Sequence, residues 1–237
     1  MIDLSRHVME TLGISLSAKQ IEAFNIYEEL LIEENQHYNL TAIKDSDEIK
    51  IKHFMDSLTC FYFINAKEPA RIIDVGTGAG FPGIPLKIVN PSIDLTLVES
   101  VEKKTNFCKK ITKNLNLSDV SIIHSRAESI GADLDFRETF DWAIARAVAP
   151  LATLSEYLLP LVKIGGRVLA QKGKQAASDI ELGKTAVNKL GGEFAQVKSF
   201  LLPVFEESRT LITILKVLPT PPEYPRRSGI PSKKPIT

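Results

Sequence analysis

The sequence predicts an α/β fold, a mostly parallel sheet with helices on both faces, and three observations predict it. Short apolar runs alternate with stretches of helical period from residue 71 to residue 190. A glycine-dense turn follows the first of these runs. The last two runs have no helical stretch between them.

Arg71-Ile72-Ile73-Asp74-Val75 ends at glycines, as a buried parallel strand does. Asp94–Glu99, Val120–His124, Phe140–Ala145 and Gly166–Gln171 continue the series. Helices are expected over about 82–89, 101–116, 151–161 and 176–190. Gln196–Leu202 and Leu211–Val217 read as a terminal antiparallel pair, giving seven strands. Ahead of the strands, residues 17–38 repeat apolar side chains at helical period (Ile21, Phe24, Tyr27, Leu31), with Ser17 as N-cap. Residues 46–64 do so again with Ile49, Phe54, Leu58 and Phe61, until Glu68-Pro69 breaks the pattern. Three parts follow: a helical cap over 1–68, a core over 69–218 and a basic, Pro-rich tail over 219–237.

A chain of 237 residues suits one α/β domain with added helices. Its 29 basic and 29 acidic residues balance, so global charge points to no partner. The tail is uneven: Arg226, Arg227, Lys233 and Lys234 face only Glu223. That fits a phosphate-rich partner or a solvated terminus. Cys60 and Cys108 are far apart in helical stretches, which argues against a disulfide framework and for a reducing compartment. Charges interrupt every apolar stretch near the N-terminus, so no signal or membrane span is expected. No His, Cys and acid cluster has metal-ligand spacing.

The turn after the first strand reads Asp74-Val75-Gly76-Thr77-Gly78-Ala79-Gly80-Phe81. Glycines there let bare backbone approach a ligand. The dinucleotide fingerprint would need a third glycine at 81, where Phe81 stands, and this disfavours an NAD enzyme. Alternate glycines with an acid two residues earlier resemble the first motif of S-adenosylmethionine (SAM) methyltransferases. Five β/α units closed by an antiparallel pair are also similar to the Rossmann-like plan of that fold. Asp74 is placed to reach the methionine ammonium, directly or through water. Glu99 ends the second strand where an acid takes ribose hydroxyls, or serves as a first-turn acid for the next helix; the glycine loop in phase with it favours the ribose. Ala127 and Glu128, after the third strand, would flank the adenine, and Phe81 would offer an apolar wall.

The fourth strand ends Ala145-Arg146-Ala147. It carries neither the N/D-P-P-aromatic signature that holds an exocyclic nitrogen nor a cysteine for covalent attack on a pyrimidine. Transfer to an atom that is already a nucleophile remains, and guanine N7 is one, with a lone pair and no proton. Catalysis then rests on positioning. Arg146 is the candidate, as a donor to a guanine O6, a phosphate or the cofactor, or as a structural ion pair.

Asn39-Leu40-Thr41, His53-Phe54-Met55-Asp56-Ser57, Val75 through Gly83, Arg126-Ala127-Glu128, Ala145-Arg146-Ala147 and Tyr224 through Pro231 occur in this order. Together they resemble the bacterial 16S ribosomal RNA guanine-N7 methyltransferases, the glucose-inhibited division protein B family. Ser228 departs from the proline expected in that tail. The resemblance implies SAM as cofactor, one guanine of 16S ribosomal RNA as substrate, and a monomeric cytoplasmic enzyme. Carried over by motif, the cofactor contacts are Gly76, Phe81, Ala127, Glu128 and Arg146; Asp74, Gly78 and Glu99 join them on the physical argument. Lys172, Lys174, Arg226, Arg227, Lys233 and Lys234 are the candidate RNA contacts. His53 and Asp56 either line the substrate mouth or pair within their helix. The alternative is a SAM-dependent methyltransferase acting on a small molecule or protein.

Overall fold

The computed structural model describes residues 2–173 and 176–237. Lys174 therefore lies outside the described residues. The strands are β1 (Arg71–Val75), β2 (Asp94–Glu99), β3 (Val120–His124), β4 (Phe140–Arg146), β5 (Val162–Lys172), β6 (Gly192–Leu201) and β7 (Ser208–Lys216), in one sheet of order β3-β2-β1-β4-β5-β7-β6. Strands β1 to β5 pair parallel, and β7 is antiparallel to both β5 and β6. The antiparallel strand is thus last in sequence but lies inside the sheet, because β6 takes the edge. The sheet order reverses direction at β1, so the carboxyl ends of β1, β2 and β4 open a crevice at this switch point.

Three helices precede the sheet, beginning with α1 (Leu4–Leu12) and the longer α2 (Ala18–Tyr38). Ser17 caps α2 in a capping box with Gln20. The Gln20 amide also donates to the carbonyls of Ile88 and Val89, at 3.1 and 2.9 Å. The next helix, α3, is compound. Ser46–Glu48 is α, Ile49–Met55 is π-wound, Asp56–Leu58 is α and Thr59–Tyr62 is 3-10. The α-helical period expected over 46–64 is therefore broken in the middle. Wider winding changes which residues share a face, and such segments recur at functional sites.

The remaining helices are α4 (Gly83–Val89), α5 (Glu102–Asn114), α6 (Ala127–Ala132), α7 (Leu151–Leu158), α8 (Ala176–Lys189) and α9 (Ile230–Lys233). One apolar cluster joins Phe24, Tyr27 and Leu31 of α2 to Phe81, Ile84 and Phe107 on one side of the sheet. A second, on the other side, holds Leu151, Leu154 and Val187. The N-terminal helices are therefore packed into the core itself. The tail is docked as well, since Tyr224 and Ile236 are buried in the second cluster. Among the described residues no helix is long and apolar enough to cross a membrane.

Candidate functional site

The glycine turn runs over the carboxyl end of β1. Gly76 and Gly78 have φ of +71° and +62°, the left-handed region that L side chains rarely occupy. At Gly76 a Cβ would also come within 2.7 Å of the Val148 methyl, whereas at Gly78 it would meet open space. Asp74 lies beneath this loop and is fully buried. Its Oδ2 accepts from the Thr77 hydroxyl and the Gly83 amide, at 2.7 and 2.8 Å. Burial raises its pKa to about 6. Asp74 Oδ2 thus holds the loop's shape, while its Oδ1 is a buried acceptor with no partner among the described residues and the side chain does not itself line the cavity.

Glu99 closes the loop from β2. Its two oxygens accept from the Gly78 and Val101 amides, at 2.9 and 2.8 Å. Both Glu99 and Gly78 line a cavity of about 630 Å³ at the switch point. Its far end is formed by Arg146, His53, Asp56, Gln171 and Arg209. A smaller recess of about 150 Å³ adjoins it and is lined by Ala127 and Glu128. Gly76, Ser100 and Val148 line both spaces. Phe81 belongs to the large cavity and not to the recess. Its ring is stacked with Tyr27 and with His53, at 5.3 and 4.5 Å between ring centroids.

Arg146 is the hub of the far end. Its Nη1 donates to the Lys52 carbonyl and to Asp56 Oδ2, at 3.2 and 3.3 Å. Its Nη2 lies 3.1 Å from His53 Nδ1, and its guanidinium carbon 5.1 Å from the Phe81 ring centre. An arginine only donates, so His53 Nδ1 must accept and the imidazole proton sits on Nε2. That nitrogen is 2.8 Å from the Thr41 hydroxyl oxygen. Burial, helped by the Arg146 charge, pushes the His53 pKa down to about 3. Both π-wound and α-wound parts of α3 contribute here, through Lys52, His53 and Asp56.

Asp56 is held from a second direction. Arg209 on β7 donates to the same Oδ2 at 3.2 Å. Asp56 Oδ1 and the Gln171 Oε1 are buried acceptors with no partner among the described residues. The Gln171 amide nitrogen donates to the Asp56 carbonyl at 2.8 Å, which fixes which way the amide faces.

The rRNA small subunit methyltransferase G family matches residues 20–211. The chain is 46% identical over 230 residues to the ribosomal RNA small subunit methyltransferase G of Oceanobacillus iheyensis, covering 97% of each. It is 48% identical over 224 residues to that of Bacillus cytotoxicus, covering 94% of each. The chain belongs to the small-subunit methyltransferase G family.

Solved structures agree on the fold alone. A SAM-dependent O-methyltransferase from Thermotoga maritima superposes with a TM-score of 0.52 at 19% identity, covering 81% of this chain and 72% of that one. M. jannaschii TYW2 in complex with AdoMet gives 0.53 at 14%, covering 69% and 81%. In this chain the candidate RNA contacts are scattered. Lys172 pairs with Asp179 at 2.8 Å, and its ammonium also donates to the Ala149 carbonyl, at the cavity rim. Arg226 is turned inward onto Glu156, which is wholly buried, with contacts of 2.6–3.2 Å. That geometry makes Arg226 an internal partner. Arg227, Lys233 and Lys234 are exposed. Arg209 and Thr41 complete the Arg146 cluster. A lone arginine in a strand, 153 residues from Asp56, carries no local pattern that would mark it.

Proposed function

We propose that this chain transfers the methyl group of SAM to N7 of a guanine in 16S ribosomal RNA. The observation that carries this reading is the state of the ionisable groups at the Arg146 end of the cavity. His53 is held neutral with its basic nitrogen accepting from Arg146, and Asp56 is tied to two arginines. The basic nitrogen of His53 is thus taken up, and Asp56, paired with both arginines through Oδ2, keeps only Oδ1 as an open acceptor. A reaction at guanine N7 needs no base, because that nitrogen presents a lone pair.

The residues present fit the cofactor. Gly76 and Gly78 give backbone without side chains, and the buried Glu99 carboxylate faces the same cavity and can accept further hydroxyl donors. The recess at Ala127 and Glu128 adjoins it on the side expected for the adenine. Bound SAM supplies an electrophilic methyl group on a positively charged sulfur. The chain's part is to hold the acceptor lone pair in line with that methyl. Arg146, fixed by His53 and Asp56, can donate to the guanine O6 beside N7. Asp56 and Gln171 carry acceptor oxygens that complement the N1–H and amine of guanine. Lys172, Arg227, Lys233 and Lys234 are the candidates for phosphate contacts, which would make binding salt-dependent. The enzyme so read acts as a monomer in the cytoplasm.

The test is methyl transfer from labelled SAM to small subunits purified from a strain lacking the protein, followed by N7-specific cleavage of the RNA. One new cleavage at a single guanine is expected. Label at a base that resists N7 cleavage, or label on ribosomal protein, would refute the reading.

A further inference from the structure

The C-terminal tail is fastened by bonds that reach the far side of the core. The Gly229 amide donates to Glu128 Oε1 at 2.7 Å, across 101 residues of chain. Arg226 is clamped on Glu156, and its own backbone amide donates to the same carboxylate at 2.8 Å. Arg137 donates to the carbonyls of Thr220, Pro221 and Tyr224. The Thr153 hydroxyl donates to the Pro231 carbonyl at 3.1 Å.

These bonds place Gly229 and Ser232 in the wall of the small recess, together with Gly76, Ala127 and Glu128. Without the tail, the recess would be a ledge formed by the ends of β1, β2 and β3 and open to water. With it, a flat base can be enclosed. Glu128 takes a different part from the one its position in the sequence suggests: one of its oxygens already holds the tail.

We infer that residues 224–232 form a wall of the nucleoside pocket, so that tail docking and cofactor binding stabilise each other. This rests on the cofactor reading above. The coupling is reciprocal: whatever affinity the ligand gains from a docked tail, the tail gains in docking from the ligand. Glu128 is the positioning residue that joins the two, and Arg226 acts at a distance from the recess by holding the tail to α7.

The experiment uses the intact chain. Binding of S-adenosylhomocysteine is first measured by calorimetry. Trypsin cleavage after Arg227 and Lys233 is then timed with S-adenosylhomocysteine, adenosine or methionine at saturation. At least tenfold slower tail cleavage is expected with the first two and none of that slowing with methionine. A chain of residues 1–223, checked for folding by circular dichroism, is expected to bind S-adenosylhomocysteine at least tenfold more weakly. If the intact chain binds the ligand but tail cleavage is unchanged, the tail inference falls and the cofactor reading stands. Protection by methionine alone would also overturn it. No binding to the intact chain would remove the cofactor reading and the inference with it. Should the shortened chain fail to fold, cleavage of the intact chain still decides.

Discussion

Arg146 Nη2 donates to His53 Nδ1 at 3.1 Å, and this bond sets both the tautomer of the imidazole and the aim of the guanidinium. A lysine cannot replace the arginine here. It offers one cationic centre, where Arg146 reaches the Lys52 carbonyl, Asp56 and His53 from a rigid fork. Arg146→Lys is expected to lower kcat/KM for methyl transfer roughly ten- to a hundredfold, which corresponds to about 1.5–3 kcal/mol for charge-assisted bonds. The thermal midpoint should move little, since Asp56 keeps Arg209. Steady-state methylation of small subunits checks the rate, and calorimetry the midpoint.

Two buried groups make the acid limb of stability a balance. His53 has a folded pKa near 3 against its ordinary value of 6.5. Below pH 6.5 the unfolded chain takes up a proton that the folded chain refuses, so stability falls as pH drops from 6.5 towards 3. Asp74 runs the other way, with a folded pKa near 6 against 3.8. Its buried charge is relieved as pH falls from 6 towards 3.8, which favours the folded state. Each group has a limiting slope of about 1.4 kcal/mol per pH unit. His53→Gln should flatten the loss of stability below pH 6, and Asp74→Asn should steepen it. Urea unfolding between pH 4 and 7 reads both slopes, and parallel profiles for the two variants would refute the assignment.

The glycine loop separates two kinds of cost. Gly78→Ala faces open space and bears mainly the left-handed backbone, about 1–2 kcal/mol. Gly76→Ala bears that and a 2.7 Å approach to Val148. Gly76→Ala should therefore lose more stability, and more affinity for S-adenosylhomocysteine, than Gly78→Ala. Val148→Ala in the same chain should recover the difference and leave the backbone part. Equal losses for the two alanines would show that the approach to Val148 is not what matters at Gly76.

The sheet and the glycine loop are legible in the sequence because their causes are local. The run Ile72–Val75 and the glycines at 76 and 78 favour strand and turn through residue type alone. Glu99 follows from its phase at the end of β2. The π-wound part of α3 is not legible, because its apolar residues, Ile49, Phe54 and Leu58, also satisfy an α period. The stacking of the Phe81 ring between Tyr27 of α2 and His53 of α3 is not legible either, because the loop itself says nothing about those two elements. Arg209 and Gly229 act on partners 153 and 101 residues away. Bonds of that range depend on topology, which residue type and spacing do not encode.

The basic tail looks uniform in sequence and is not so in the fold. Arg226 neutralises Glu156, a carboxylate with no solvent exposure, while Arg227, Lys233 and Lys234 are exposed. Removing one partner of a buried ion pair leaves the other charge uncompensated, at a cost of about 3 kcal/mol, the lower end because Arg226 is partly exposed. Arg226→Ala should thus lower stability clearly, and Glu156→Gln added to it should restore part of the loss by removing the stranded charge. Replacing Arg227, Lys233 and Lys234 together by alanine should leave the melting temperature nearly unchanged. It should instead weaken binding to small subunits and lower the slope of log affinity against log salt, by about 0.7–0.9 for each phosphate no longer neutralised. Binding measured at several salt concentrations distinguishes the cases. An unchanged slope in the triple variant would take those three residues out of the RNA-binding surface, and the cations at the cavity rim, Lys172 among them, would then have to carry it.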